Sequence, residues 1–477
     1  MNKALAPLLA LVLAGCATQV PQALTPQMTP QAFTGSVAAD ANIWPQADWW
    51  QGFGDAQLTG LIQQAANGNR DLAIAAARLM QAQAQASIQR SALFPQIGAQ
   101  GDWQSGGCNG QACAHYASGK QFGLGFNASY GVDVWGLARD NLRAATEQLK
   151  ASRFARQAVA LSVTTNVATQ YLTVLAIRRR IAIQQQNLDA INAILDVVKL
   201  RVKAGAASHL DLAREQAQFE ATQAELPSLE TAEKEALYTL AVLLGRPPQG
   251  FDVASTDLEK LLPPQVGAGL PSDLLLRRPD IAQAEANLAS AHANVDAARA
   301  AFLPQIALTG QGGFFSTAIA TLLHGSTFGY AWGANLLQTI FDGGRLVGQK
   351  DLAQGVEQEY VAAYQNAALN AYADVETALI QVANTGKTER HLRAEIAAAG
   401  EAFQISQLQY RQGATDLINV LQAQQQLFTA QDELVQALLA NRLAAVHLYA
   451  ALGGGWVEDP QDRTQMVDHL VLGGKGL

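Results

Sequence analysis

The chain is poor in cysteine, has no basic clusters and, past its first residues, lacks long apolar runs. Only three of its 477 residues are Cys. No internal stretch reaches about 18 consecutive apolar residues, so no transmembrane helix is expected after the N-terminus. A membrane would have to be crossed by strands. No Lys/Arg cluster offsets the net charge of −8, which argues against nucleic acid as a partner. The seven His are scattered, and no His-Glu-x-x-His, Gly-x-Ser-x-Gly or phosphate-loop spacing occurs. Neither an enzyme nor a cofactor or metal site is expected. The length alone suggests two to three domains, yet no Pro/Ser-rich linker divides the chain. Its only obvious joint is residues 246–272, where Pro247, Pro248, Pro263, Pro264 and Pro271 gather. Pro and Gly are also missing from about Arg139 to Lys203, a run worth roughly 90–100 Å of helix at 1.5 Å per residue.

What is present begins at the N-terminus. Lys3 precedes an apolar run from Ala4 to Ala14, the length of a signal-peptide core and too short to span a bilayer. It closes with Leu13-Ala14-Gly15-Cys16, a bacterial lipoprotein box in which the Cys16 thiol accepts a diacylglyceryl group and becomes the mature first residue. Several acyl chains give stable anchoring where one does not. Ala17 after the Cys favours sorting to the outer membrane. The other cysteines, Cys108 and Cys113, share a Gly-rich loop, and export permits a disulfide between them. A metal site with nearby His115 is the competing reading.

The chain also repeats itself at a distance of about 209 residues. Phe94-Pro95-Gln96-Ile97 returns as Leu303-Pro304-Gln305-Ile306, and Leu243-Leu244-Gly245 as Ala451-Leu452-Gly453. A unit this long is no solenoid repeat; it predicts a pseudo-symmetric body. Within each copy two short segments alternate. Phe122, Leu124, Phe126, Ala128, Tyr130 and Val132 interleave with Gly, Asn, Ser and Asp, and Phe328, Tyr330, Trp332, Ala334 and Leu336 do likewise. Partner segments start at Pro95 (Ile97, Ala99, Gly101, Trp103) and Pro304 (Ile306, Leu308, Gly310). Their length and period suit transmembrane strands, with aromatics expected near the ends as an interface girdle. Four strands cannot close a barrel, and lipid tolerates no open edge. Eight strands have an interior filled by side chains, whereas twelve leave a channel, so a homotrimer is expected.

The long helices carry seams spaced 3 and 4: Leu188, Ile191, Leu195, Val198 and Val202 in one copy, Leu392, Ile396, Ala399, Phe403, Ser406 and Tyr410 in the other. A third stripe runs Leu417, Leu421, Gln424, Phe428, Gln431, Val435 and Leu438. Pro227 is expected to break the return helix of the first copy. The hairpin turns are Gly205 with Ser208 and Asp211, and Gly413 with Thr415 and Asp416, where Gly ends one helix and Ser or Asp caps the next. Tyr410 and Arg411 remain as surplus polar groups at this tip.

The stretch Leu270-Pro271-Ser272-Asp273-Leu274-Leu275-Leu276-Arg277-Arg278-Pro279-Asp280-Ile281 resembles TolC-type outer-membrane efflux proteins, most closely the NodT-like lipoprotein subfamily. So do Trp49-Trp50 with Phe53-Gly54-Asp55, Phe341-Asp342-Gly343-Gly344-Arg345, and Leu452-Gly453-Gly454-Gly455-Trp456. The resemblance covers roughly residues 45–457. It implies a mainly α chain with membrane β: a long α-helical coiled-coil barrel continuous with a 12-stranded antiparallel β-barrel formed by a trimer, four strands per chain. It further implies passive conduction of drugs or other small molecules, with a periplasmic adaptor (membrane-fusion) protein and an inner-membrane resistance-nodulation-division pump as partners. The turns at Gly205 and Gly413 become the adaptor-facing aperture, involving Ser208, Asp211, Tyr410, Arg411 and Asp416. Gln422 stands where many relatives carry Asp, which weakens the case for a cation-binding gate. The expected division is a signal peptide at 1–15, a lipid-anchored segment at 16–55, repeats at 56–250 and 273–457 joined by a linker at 251–272, and a tail at 458–477. Competing readings are the exit duct of a type I protein secretion system and a non-conducting surface adhesin.

Overall fold

The computed structural model describes residues 30, 32–33, 45–106, 119–254, 257–263 and 274–456. Cys16, Cys108 and Cys113 lie outside the described residues. Helices α1 (Ala56–Gly68) and α2 (Arg70–Ser91) lead into strands β1 (Gln96–Gly106) and β2 (Gly119–Val132), then α3 (Leu137–Lys203) and α4 (His209–Leu243). The order recurs as α5 (Pro279–Ala300), β3 (Gln305–Ser316), β4 (Phe328–Leu337), α6 (Arg345–Gln412) and α7 (Leu417–Ala451). The chain divides into two compact units, and each repeat contributes to both. The first comprises residues 77–153 and 283–366, and the second residues 26–76, 154–282 and 367–477, as far as these are described.

In the first unit the strands form one antiparallel sheet in the order β1-β2-β3-β4. Each repeat leaves its strands through an aspartate. The Asp133 carboxylate accepts from the Ala138 and Arg139 amides (3.1 and 3.0 Å), and Asp342, 209 residues on, accepts from Gly344 and Leu346 (3.0 Å each). These bonds satisfy amides at the start of α3 and α6 that have no partner within their own helix. Burial would raise the Asp133 pKa, but the two amides and the Arg139 guanidinium hold it below the usual value.

The core of the second unit gathers Leu58, Leu61, Ile62, Val167, Tyr171, Leu172, Leu175, Leu237, Leu240, Leu438 and Val446. Trp49 stacks on Tyr449 at 5.0 Å, while Asp55 caps α1 and accepts the Tyr171 hydroxyl at 2.7 Å. The tryptophan-rich segment ahead of α1 is thereby fixed to both repeats. Arg278 of the Arg-Arg-Pro-Asp motif is buried and donates to Asp280, to Asp374 (3.0 Å) and to the Ala451 carbonyl (3.1 Å). Within the described part of the proline-rich joint, Leu258 and Leu261 are buried in the core. Helices α3 and α7 contain apolar 18-residue windows with a mean hydropathy of 1.2, although no continuous apolar run was found. About half of each window is buried within the chain (50% and 56%), as in core helices.

Pro227 does not break α4, which runs unbroken for 35 residues. Pro227 and Gln223 are both exposed, so the carbonyl deprived of its helical N–H partner faces water, and packing on the buried side carries the helix through.

The four Gly ends repeat one geometry. After α4, the Gly245 amide bonds the Val242 carbonyl and the Arg246 amide the Ala241 carbonyl (both 2.9 Å), with Gly245 at φ +69. This is the Schellman arrangement that favours glycine. A Cβ on Gly245 would stand 2.1 Å from the Gly68 carbonyl oxygen, where α1 ends. Gly245→Ala is therefore expected to destabilise the chain by about 3 kcal/mol or more, the left-handed backbone and the overlap both contributing. Thermal unfolding followed by helical circular dichroism checks this, with exposed Gly205→Ala, which meets no atom, as the milder control.

Candidate functional site

Two features carry function, the sheet and the helical tip. Cross-strand register aligns the alternating segments on common faces. Ile97 pairs with Ala128, Ala99 with Phe126, and Trp103 with Phe122. Tyr130 pairs with Leu308, Leu124 with Phe314, and Val132 with Ile306. Leu308 pairs with Ala334, Gly310 with Trp332, and Gly312 with Tyr330. Apart from Ser105, Lys120 and Ser316 at the hairpin end, one face of the sheet is thus apolar from β1 to β4. The opposite face carries Gln100, Asp102, Asn127, Ser129, Thr309, Gln311 and Asn335 among glycines. On the apolar face Trp332 is 84% and Ile97 75% exposed in the chain, far more contiguous apolar surface than water-facing sheets carry. The alternation is that of a lipid-spanning strand.

The aromatics are not confined to the strand ends. Trp103, Phe122, Phe314 and Phe328 do form a row near the hairpin ends, with Phe314 and Phe328 in edge contact at 5.4 Å. Phe126, Tyr330 and Trp332 lie mid-strand, however, because their cross-strand partners include Gly310 and Gly312. A large ring covers the backbone that glycine leaves bare. Beyond β2, the Trp135 indole donates to the Pro304 carbonyl at 2.7 Å and anchors the other end.

At the tip, both turns are Schellman ends. Gly205 (φ +72) bonds the Val202 carbonyl, and Ala206 that of Arg201; Gly413 (φ +78) bonds that of Tyr410, and Ala414 that of Gln409. Ser208 and Asp211 form a complete capping box, with hydrogen bonds of 3.1 Å in each direction. Asp416 stands at the equivalent position of α7 but makes no side-chain cap, contrary to expectation. There Thr415 instead accepts from Asn419 at 2.8 Å. Arg411 and Gln422 are exposed.

Tyr410 is not a surface link. It is buried among Ile194, Val198, Phe403, Leu417 and Val420, and its hydroxyl has no partner. Burial raises its pKa, which the Arg201 charge opposes and those of Asp211 and Glu215 reinforce. The residue that ties the two hairpins together is Arg201, which sequence reasoning missed. Its guanidinium sits 4.5 Å from the Tyr410 ring centroid and donates to the Tyr410 carbonyl and, at 3.5 Å, to that of Ala206. The available signal was a cation in the last turn of α3, within reach of unpaired helix-end carbonyls. A second tie is Arg180 to Asp432 (2.5 and 3.1 Å), between α3 and α7.

A bifacial four-stranded sheet and paired long helical hairpins define an outer-membrane channel protein. The model of the family "Outer membrane efflux protein" matches residues 61–246 and 270–454, and the chain belongs to that family. The pyoverdine export outer membrane protein OpmQ of Pseudomonas aeruginosa is 39% identical, over 87% of this chain and 88% of its own. The cation efflux system protein CusC of Escherichia coli O6:H1 is 30% identical, over 94% and 97%. Among solved structures, the outer-membrane channel OprN superposes with a TM-score of 0.86 at 25% identity, over 92% of this chain and 100% of its own. The open state of the Neisseria gonorrhoeae MtrE channel gives 0.82 at 28%, over 93% and 99%. The protein is an outer-membrane efflux channel.

Proposed function

We propose that three copies close their sheets into one twelve-stranded barrel and conduct small molecules passively out of the periplasm, without catalysis. The observation that carries this is a sheet whose edge strands β1 and β4 have no further strand partner among the described residues and whose one face is apolar over most of its length. In lipid those edges must pair, and three sets of four strands make the smallest such barrel with a lumen. The polar, glycine-rich face would line that lumen. A lipid anchor on Cys16 would hold each copy to the outer membrane, and a Cys108–Cys113 disulfide would close the loop between β1 and β2. Energy would come from an inner-membrane pump joined through a periplasmic adaptor. The relatives handle pyoverdine in one case and cations in another, so cargo selection is assigned to the pump and not to the duct. Native mass spectrometry of the detergent-released protein tests the assembly: a three-chain mass supports it, and a single-chain mass with intact strands refutes it.

The tip would serve as the gate, with Arg201, Gly205, Ser208, Asp211, Tyr410, Gly413 and Asp416 around it and Arg411 and Gln422 facing outward. Arg201→Ala removes a cation–π contact and charged hydrogen bonds that together hold the hairpins by about 1–2 kcal/mol per chain. The open-to-closed ratio of each chain's tip is expected to rise about five- to thirtyfold, read as raised conductance in planar bilayers at unchanged trimer yield. Unaltered conductance would move the gate elsewhere. Tyr410→Phe, which deletes an unpartnered hydroxyl, is expected to leave conductance unchanged.

A further inference from the structure

Glu215 lies on α4 seven residues beyond the cap Ser208. Its side chain is fully buried, and neither carboxyl oxygen has a hydrogen-bond partner. Two more buried polar groups of the same tip lack partners: the Tyr410 hydroxyl on α6 and both amide atoms of Gln424 on α7. Gln424 shares a buried stripe with Leu417, Val420 and Leu427. Those three pack with Ile194, Val198, Phe403 and Tyr410 into an otherwise apolar cluster. Native interiors hold few such orphaned atoms, because each forfeits its hydration without compensation. Several in one hairpin pair would regain hydration if the helices parted and water entered.

We propose that Glu215 is a proton-binding site that couples the ambient pH to the opening of the tip. The packed hairpins hold it as the neutral acid. When the carboxyl O–H bond breaks, the proton passes to solvent and the carboxylate draws water between the helices. The inference rests on the tip being the gate.

The surroundings favour the neutral form. Tyr410 of α6 feels the charges of Glu215, of Asp211 four residues earlier on α4, and of Arg201 of α3, whose guanidinium lies over the Tyr410 ring. The buried stripe of α7, Leu417, Val420, Gln424 and Leu427, supplies no titratable group, and neighbouring Arg214 is exposed. Burial lifts the Glu215 pKa from the ordinary 4.5 to about 7. The packed arrangement therefore binds the proton more tightly than the hydrated one. Its advantage is complete below pH 4.5 and is lost as pH rises through about 7.

Open probability of the purified channel in planar bilayers, followed from about pH 5 to pH 8, tests this. For the wild type it is expected to rise by about tenfold or more across that window. For Glu215→Gln, held neutral, it is expected to stay flat at the low-pH level with trimer yield retained. Glu215→Ala, also pH-independent, takes its place should the amide impair assembly. A variant profile that coincides with the wild type overturns the proposal. Arg201→Ala separates this from failure of the gate reading. If that variant opens the channel while Glu215→Gln titrates like the wild type, the gate stands and the proton site falls. If neither variant departs from the wild type at any pH, the gate lies elsewhere and the proposal falls with it.

Discussion

Replacing Phe126 by arginine is expected to abolish assembly in the outer membrane. Phe126 is the eighth of the fourteen residues of β2, on the apolar face and 67% exposed in the chain. Its cross-strand partners Ala99 and Gly312 are too small to shelter a guanidinium. A cation at the bilayer midplane of a barrel strand costs about 2–4 kcal/mol, and a trimer carries the cost three times. Asn127→Arg, one residue along on the polar face, is the matched control and is expected to assemble. The amount of trimer in the outer-membrane fraction decides between them. Equal recovery of both variants would mean that the apolar face does not meet lipid.

Arg442→Met should strongly destabilise the second unit. Arg442 is 2% exposed. It donates to the Leu261 carbonyl at 3.0 Å, to Glu389 at 3.2 Å and to the Asn441 side-chain oxygen at 3.2 Å. It therefore clamps the segment between the repeats onto α6 and α7. Methionine fills much of the volume but leaves the carbonyl and the carboxylate without that donor. Removing one partner of a buried pair costs about 3–5 kcal/mol. Glu389 keeps Arg393 at 3.1 Å, which places the expectation at the lower end. Adding Glu389→Gln should recover part of the loss, because the stranded charge goes too. Urea unfolding followed by helical circular dichroism measures both. Additive losses would show that the two side chains act independently.

The sheet was legible because a period of two leaves little choice once both faces have opposite character. Strand positions, hairpin partners and the need for other copies follow from it, although β1 and β3 run on to Gly106 and Ser316 and the β2–β3 pairing that joins the repeats does not show in it. What the pattern could not show was that Gly310 and Gly312 draw Trp332, Tyr330 and Phe126 to the middle of the face, since register lies between segments and not within one. Turn glycines at 205 and 413 were legible for a similar local reason, as a left-handed helix end is a demand on a single residue.

The tip chemistry was harder. Tyr410 ends a stripe, Leu392-Ile396-Ala399-Phe403-Ser406-Tyr410, whose spacing already assigned it to the core, yet its hydroxyl suggested a surface link. Burial followed the spacing. Gln424 also falls on a seam, while Glu215 offers no local sign of burial among Arg214, Gln216 and Glu220. Its environment is made by a second hairpin about 200 residues away, and periodicity within one helix cannot report that. Arg201 escaped for the same reason: its partner Tyr410 lies 209 positions on.

The most direct measurement of the account is the current carried by purified, strand-intact protein inserted into a planar lipid bilayer. A sheet that closes with other copies around its polar face predicts discrete, uniform conductance steps from the three-chain species and none from the Phe126→Arg chain. Membrane-inserted protein with intact strands that passes no current, under any pH and with Arg201→Ala included, would contradict it.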